Sequence, residues 1–191
     1  MQVQTLEATI LASPLLRIIW NNWGALDLPD CWLVAGCLAQ TVWNNRFGLP
    51  AAHGISDIDI VYFDPSDRSA ETEARHSNRI REVFSHLPVW LDVKNQARVH
   101  LWYESKFGYP IAPYGSGKDA INSFPTTATA VGIRPNGNGL ELHARFGLDD
   151  LLSGTVRANK TQIRRSNYEA KVAKWTQHWP DLRVVGWDDP A

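Results

Sequence analysis

The chain has 191 residues, 44% of them hydrophobic, enough to bury the core of one domain. Its 19 basic and 20 acidic residues leave a net charge of -1, which excludes a global field that would hold nucleic acid or an anionic membrane. Two cysteines, Cys31 and Cys37, lack zinc-ligand spacing, and the apolar N-terminal stretch is interrupted by Glu7, Pro14 and Arg17. A cytoplasmic protein without signal peptide or membrane span is expected.

A short helix is expected from about Leu6, then one opened by Ser13 and Pro14 as cap and first turn, with Leu15, Ile18 and Ile19 on its apolar face. "CWLVAG" reads as a buried strand running into Gly36, and "CLAQTVWNNRFG" as a helix stopped at Gly48 and Pro50. After a loop, the run from Ile58 to Phe63 is β-branched and aromatic, as a central strand requires. A polar turn leads into a helix with Ile80, Val83, Phe84 and Leu87 inward, and "VWLDVKN" forms the next strand.

"QARVHLWYESKFG" places Val99, Trp102, Tyr103 and Phe107 near helical spacing, and a short helix is expected before Phe124. "TTATAVGIR" reads as a strand, "PNGNG" as a turn and "LELHARF" as the strand behind it. A last helix carries Tyr168, Val172, Trp175 and Trp179 at i, i+4, i+7 and i+11. Between Gly154 and Trp175 stand six basic residues and one acid, Glu169, which is either a solvated face or a rim for phosphates.

In a strand, Asp57 and Asp59 share a face with Cα atoms about 6.5 to 7 Å apart, so their carboxylates converge and repel unless a cation lies between them. Asp92, embedded between Leu91 and Val93, can complete an all-oxygen cage suited to Mg²⁺ or Mn²⁺. Upstream, Gly36 and Cys37 sit where a strand gives way to a helix N-terminus, a place for phosphate. Lys94 shares a face with Asp92, and Arg98 follows closely, so both are candidates to balance phosphate charge. His100 is a further candidate contact. Asp-x-Asp also occurs in glycosyltransferases and in haloacid-dehalogenase phosphatases, but the glycine turn and third carboxylate argue against the first. The apolar run after the aspartates, rather than before them, argues against the second.

The blocks "LVAGCLAQTVWNNRFG", "SDIDIVYFD", "WLDVKNQARVHLWYESKFGYP", "SFPTTATAVGIR" and "FGLDDLLSGTVRANK" resemble the bacterial nucleotidyltransferase family of short single-domain proteins related to the DNA polymerase beta superfamily. The resemblance implies an α+β, polymerase beta-like nucleotidyltransferase fold, a mixed β-sheet flanked by helices with a C-terminal helical segment. Residues 1–191 would form one domain, with a catalytic core over about 15–150 and the helical segment over about 148–180. It implies divalent metal, Mg²⁺ or Mn²⁺, and transfer of a nucleoside monophosphate from a nucleoside triphosphate with release of pyrophosphate. By the same resemblance Asp57 and Asp59 hold the metals, Asp92 polarises the acceptor hydroxyl, and Gly36 and Cys37 hold the triphosphate.

Thr126 and Thr127 fall within a matching block without an assigned role. Cys37 departs from the serine or glycine usual at its position, which keeps open a degenerate nucleotide-binding or partner-binding protein of the same fold. No Arg-Asp pair follows the turn as in tRNA CCA-adding enzymes, which argues against CCA addition. The acceptor, whether small molecule, RNA end or protein, stays open.

Overall fold

The computed structural model describes residues 1–137 and 139–189. Helices α1 (Gln2–Ala12) and α2 (Pro14–Asn21) are separated by Ser13, whose hydroxyl caps α2 by accepting from the Leu16 amide. Then come β1 (Trp32–Val34), α3 (Gly36–Arg46), β2 (Asp57–Tyr62), α4 (Ala70–Val83) and β3 (Trp90–Asn95). They are followed by α5 (Tyr103–Phe107), α6 (Gly117–Asn122), β4 (Val131–Asn136) and β5 (Gly139–Ala144). The chain ends with α7 (Asp149–Ser153), β6 (Thr155–Val156), α8 (Arg165–His178) and β7 (Arg183–Val184).

Five strands form a mixed sheet in the order β3-β2-β1-β4-β5, in which only β2 and β3 run parallel. Alternation along each strand gives the sheet two unlike faces. Leu33, Ile58, Ile60, Leu91, Val93 and Ile133 enter the main core with α1, α2, α3 and α8 residues. On the opposite face Trp32, Val34 and Val61 pack with Ile121 of α6. Gly132 permits that packing, because a Cβ there would sit 2.6 Å from Ile121 Cδ1. The same face carries Asp57, Asp59, Asp92 and Lys94.

β3 is an edge strand, and α4 covers it. Glu73, Ser77 and Arg81, at i, i+4 and i+8 on one helix face, answer the free backbone groups of Asn95, Val93 and Leu91. The sheet's exposed edge is thereby closed with side-chain hydrogen bonds of 2.8, 3.1 and 2.9 Å.

Several elements differ from the sequence expectation. Val83 ends α4 and is exposed, while Ile80, Phe84 and Leu87 are buried as expected. "QARVHLWYESKFG" is not one helix: the Asn95 side chain accepts from the Ala97 amide and starts a 3-10 stretch, and Trp102, outside helical dihedrals, restarts the chain as α5. In "TTATAVGIR" only Val131 onward joins the sheet. The preceding threonines close a turn in which the Thr126 and Thr129 hydroxyls bond each other at 2.8 Å and the Ala130 amide donates to the Thr126 carbonyl. The turn expected at "PNGNG" includes Asn138, which lies outside the described residues.

Candidate functional site

The parallel pairing of β2 with β3 sets Asp59 directly beside Asp92, and Asp57 lies two residues earlier on the same face. One register therefore brings three carboxylates to the floor of a cleft of about 620 Å³. Ser56 donates to Asp57 at 2.5 Å, and the loop before it is pinned by the Asn44 side-chain amide to the Ala51 and His53 carbonyls. Trp179 donates in turn to Asn44 at 2.7 Å, tying the end of α8 to the loop that delivers Asp57.

Burial and the neighbouring charges of Asp57 and Asp92 push the Asp59 carboxyl up to about 7, against smaller opposing effects from Lys171 and the Gly36 amide. Three oxygen donors that repel one another suit a hard divalent cation. Among the described residues, no three His, Cys, Asp or Glu side chains already stand in ligating arrangement around one point.

Beside the carboxylates, β1 passes into α3 through Ala35, which takes φ 61 and ψ -130, and its amide donates to the Val131 carbonyl. A residue with a Cβ is strained there. The turn brings the start of α3 to the cleft, where the Gly36 amide faces the Asp59 carboxylate and a Cβ on Gly36 would come within 3.8 Å of Asp59 Oδ2. Relieving the strain with Ala35→Gly is expected to raise stability by about 0.5 to 1 kcal/mol. Chemical denaturation should show a higher midpoint at unchanged slope, and a lower midpoint would refute strain at this turn.

The remaining sequence candidates separate. Lys94 lines the cleft and pairs with Asp92 at 3.2 Å. Cys37 does not present its side chain there: the thiol is buried and donates to the Val34 carbonyl at 3.3 Å, and burial raises its pKa. A hydroxyl at this place would face the core, so the change from serine removes no donor from the cleft.

Arg98 is likewise outside the cleft lining, bonded to Glu73 at 2.6 Å and to the Arg68 carbonyl. It balances the carboxylate that caps the β3 edge. Arg98→Met is expected to cost about 2 to 3 kcal/mol with triphosphate affinity unchanged, because Glu73 would remain charged and largely buried. Weakened triphosphate binding at unchanged stability would return Arg98 to the site. His100 does not line the cleft, and Thr127 is tied to Asp150 at 2.6 Å.

The basic segment also resolves residue by residue. Arg157 pairs with Asp150, Arg165 with Glu169 and Asp188, and the Arg164 guanidinium lies 3.9 Å from the Tyr109 ring centroid. Lys171 and Lys174 line the cleft. Lys171, absent from the sequence candidates, forms no ion pair among the described residues, although it feels Asp59 and Asp57, and its Nζ lies 4.9 Å from the Trp175 ring centroid. Burial and neighbouring cations lower its pKa, against the pull of both aspartates. Its signal was its position, i+3 from Tyr168 and i-4 from Trp175, a lysine within an apolar stripe.

A sheet that sets paired carboxylates beside a helix N-terminus suits a ligand that carries both phosphate and a divalent cation. The nucleotidyltransferase family model matches residues 11–184, and the chain belongs to that family. A solved NMR structure described as revealing a CCA-adding enzyme head domain is 29% identical, covering 96% of this chain and 95% of its own, with a TM-score of 0.78. A tRNA-processing enzyme in an apo form is 12% identical, covering 81% of this chain and 41% of its own at a TM-score of 0.42. No curated protein matches the chain. The expected nucleotidyltransferase fold is borne out, and the enzyme is a nucleotidyltransferase with a nucleoside triphosphate as substrate. No helix among the described residues is long and apolar enough to cross a membrane.

Proposed function

We propose that this enzyme is divalent-metal dependent and transfers a nucleoside monophosphate from a nucleoside triphosphate to an acceptor hydroxyl, releasing pyrophosphate. The observation that carries the reading is the register that places Asp59 beside Asp92, with Asp57 on the same face of the cleft floor. Mg²⁺ or Mn²⁺ held by Asp57, Asp59 and Asp92 would supply charge neutralisation at the phosphates and lower the pKa of the acceptor hydroxyl. The three aspartates fit such an ion in donor type and in mutual repulsion.

The chain's own residues do the rest. The first amides of α3, at Gly36 and Cys37, present backbone donors and the helix dipole to the triphosphate. Lys171 and Lys174, on α8 across the cleft, bring the cationic charge that sequence proximity had assigned to Arg98. Asp92 receives the proton of the attacking hydroxyl, and its ion pair with Lys94 holds it in place. Catalysis is then mainly positioning and electrostatic stabilisation in a partly enclosed site.

Calorimetric titration of each nucleoside triphosphate, with and without Mg²⁺ or Mn²⁺, tests the reading on wild type and on Asp57→Asn/Asp59→Asn. Metal-dependent binding that the double variant loses supports it. Binding indifferent to both metal and mutation removes the carboxylate cage from the mechanism.

A further inference from the structure

The cleft has a second wall that this chemistry does not use. Trp102, Tyr103 and Phe107, which follow β3 in the chain, also line the cleft. None of these three rings belongs to either hydrophobic core cluster. Trp102 and Tyr103 are near parallel at 28°, with centroids 6.3 Å apart, and the Tyr103 and Phe107 centroids are 4.4 Å apart.

Tyr103 is held by hydrogen bonds. The Tyr103 hydroxyl lies 3.1 Å from the Tyr109 hydroxyl, and Tyr109 donates to the Gln162 carbonyl at 3.0 Å. Phe107 stays 37% exposed. Three rings that belong to neither core cluster and line the cleft, the middle one anchored, are placed for stacking.

The surrounding charge narrows what would stack. Apart from the three aspartates, the charged groups on the cleft lining are Lys94, Lys171 and Lys174. Lys106 adds a cation at the rim, its Nζ 5.5 Å from the Trp102 centroid and 5.4 Å from that of Phe107. Glu104, on the same short helix, is exposed and outside the lining.

We propose that this wall is the acceptor subsite and that the acceptor is an anionic alcohol carrying a planar ring, stacked on Trp102, Tyr103 and Phe107 with its hydroxyl toward Asp92. The inference rests on the carboxylate reading above. Lys106, the cation beside the rings, favours an anionic acceptor over a cationic one, and an acceptor without a ring leaves the ladder of rings wet. In the transfer, the acceptor oxygen bonds to the α-phosphorus, the bond from that phosphorus to the bridging oxygen breaks, and pyrophosphate leaves. The hydroxyl proton passes to Asp92. A free nucleotide and the terminal nucleotide of an RNA share this chemistry.

The test follows label from α-³²P nucleoside triphosphates onto 5′-AMP, 5′-CMP, a hexanucleotide RNA, glycerol 3-phosphate and kanamycin. Label is expected on ring-bearing anions alone, and whether it appears on the mononucleotides or on the RNA identifies the source. Trp102→Ala should raise the acceptor KM at least about tenfold with the triphosphate KM within about twofold, and Trp102→Phe should restore most of the loss. Because Trp102 lies outside the core, circular dichroism should show an unchanged fold, and Phe107→Ala gives an independent check. Labelling of kanamycin or glycerol 3-phosphate as readily as of nucleotides overturns the proposal. So does a Trp102→Ala effect confined to the triphosphate KM, which would give the ladder to the donor base. If wild type binds triphosphate with metal yet labels no ring-bearing anion, the acceptor inference fails alone. If wild type binds no triphosphate, the carboxylate reading fails and takes this inference with it.

Discussion

Asp59→Asn is expected to lower kcat by about 10³-fold or more while raising the melting temperature of the metal-free protein by about 2 to 4 °C. Both effects have one cause. Asp59 is half-buried between two other carboxylates, which makes its charge costly to the empty fold and useful to a bound cation. Asparagine keeps the shape and an acceptor for the Gly36 amide while removing the repulsion. Mg²⁺ should then stabilise wild type by mass action and leave the variant nearly unmoved. Differential scanning fluorimetry across a Mg²⁺ series, beside a pyrophosphate-release assay, reads both. A variant that loses stability as well as activity, with wild type indifferent to Mg²⁺, would mean that Asp59 is a structural carboxylate.

How much of this site was legible depended on whether its geometry is local. Asp57 and Asp59 converge because strand side chains repeat every two residues, and the buried Ile58 and Ile60 between and after them fix the phase. The passage from strand to helix before α3 was legible for the same reason, although Ala35 rather than the expected Gly36 takes the positive φ of the turn. Asp92 was recognised as a charge embedded in a strand, but its place opposite Asp59 belongs to the β2/β3 register, which no single strand encodes.

Side-chain directions and long-range partners were less legible. Arg98 follows Asp92 closely, yet its partner Glu73 belongs to α4, and the pair serves the sheet edge rather than the cleft. Cys37 sits at the right turn, but the helical phase directs its thiol to Val34. Trp102, Tyr103 and Phe107 were spaced like the inner face of a helix. The 3-10 stretch before α5 breaks that phase and leaves the rings on the cleft.

Lys171 supplies the other large effect, and one with a signature that unfolding cannot imitate. The C-terminal helix brings its ammonium group to the cleft, where it has no ion-pair partner among the described residues and stands near the carboxylate pair. With a polyanionic donor bound it gains a phosphate partner, and without one it repels the cation that the aspartates attract. Lys171→Met keeps the apolar stem against Trp175 while removing the charge. It is expected to weaken triphosphate binding about 10- to 100-fold and to tighten Mg²⁺ binding to the nucleotide-free protein about 2- to 5-fold. Lys171→Arg should retain most of both properties. Calorimetry of the two titrations separates the cases, because a structural lesion weakens both affinities together, whereas a phosphate-binding lysine moves them in opposite directions. Unchanged triphosphate affinity in Lys171→Met would leave Lys174 and the α3 amides to hold the phosphates.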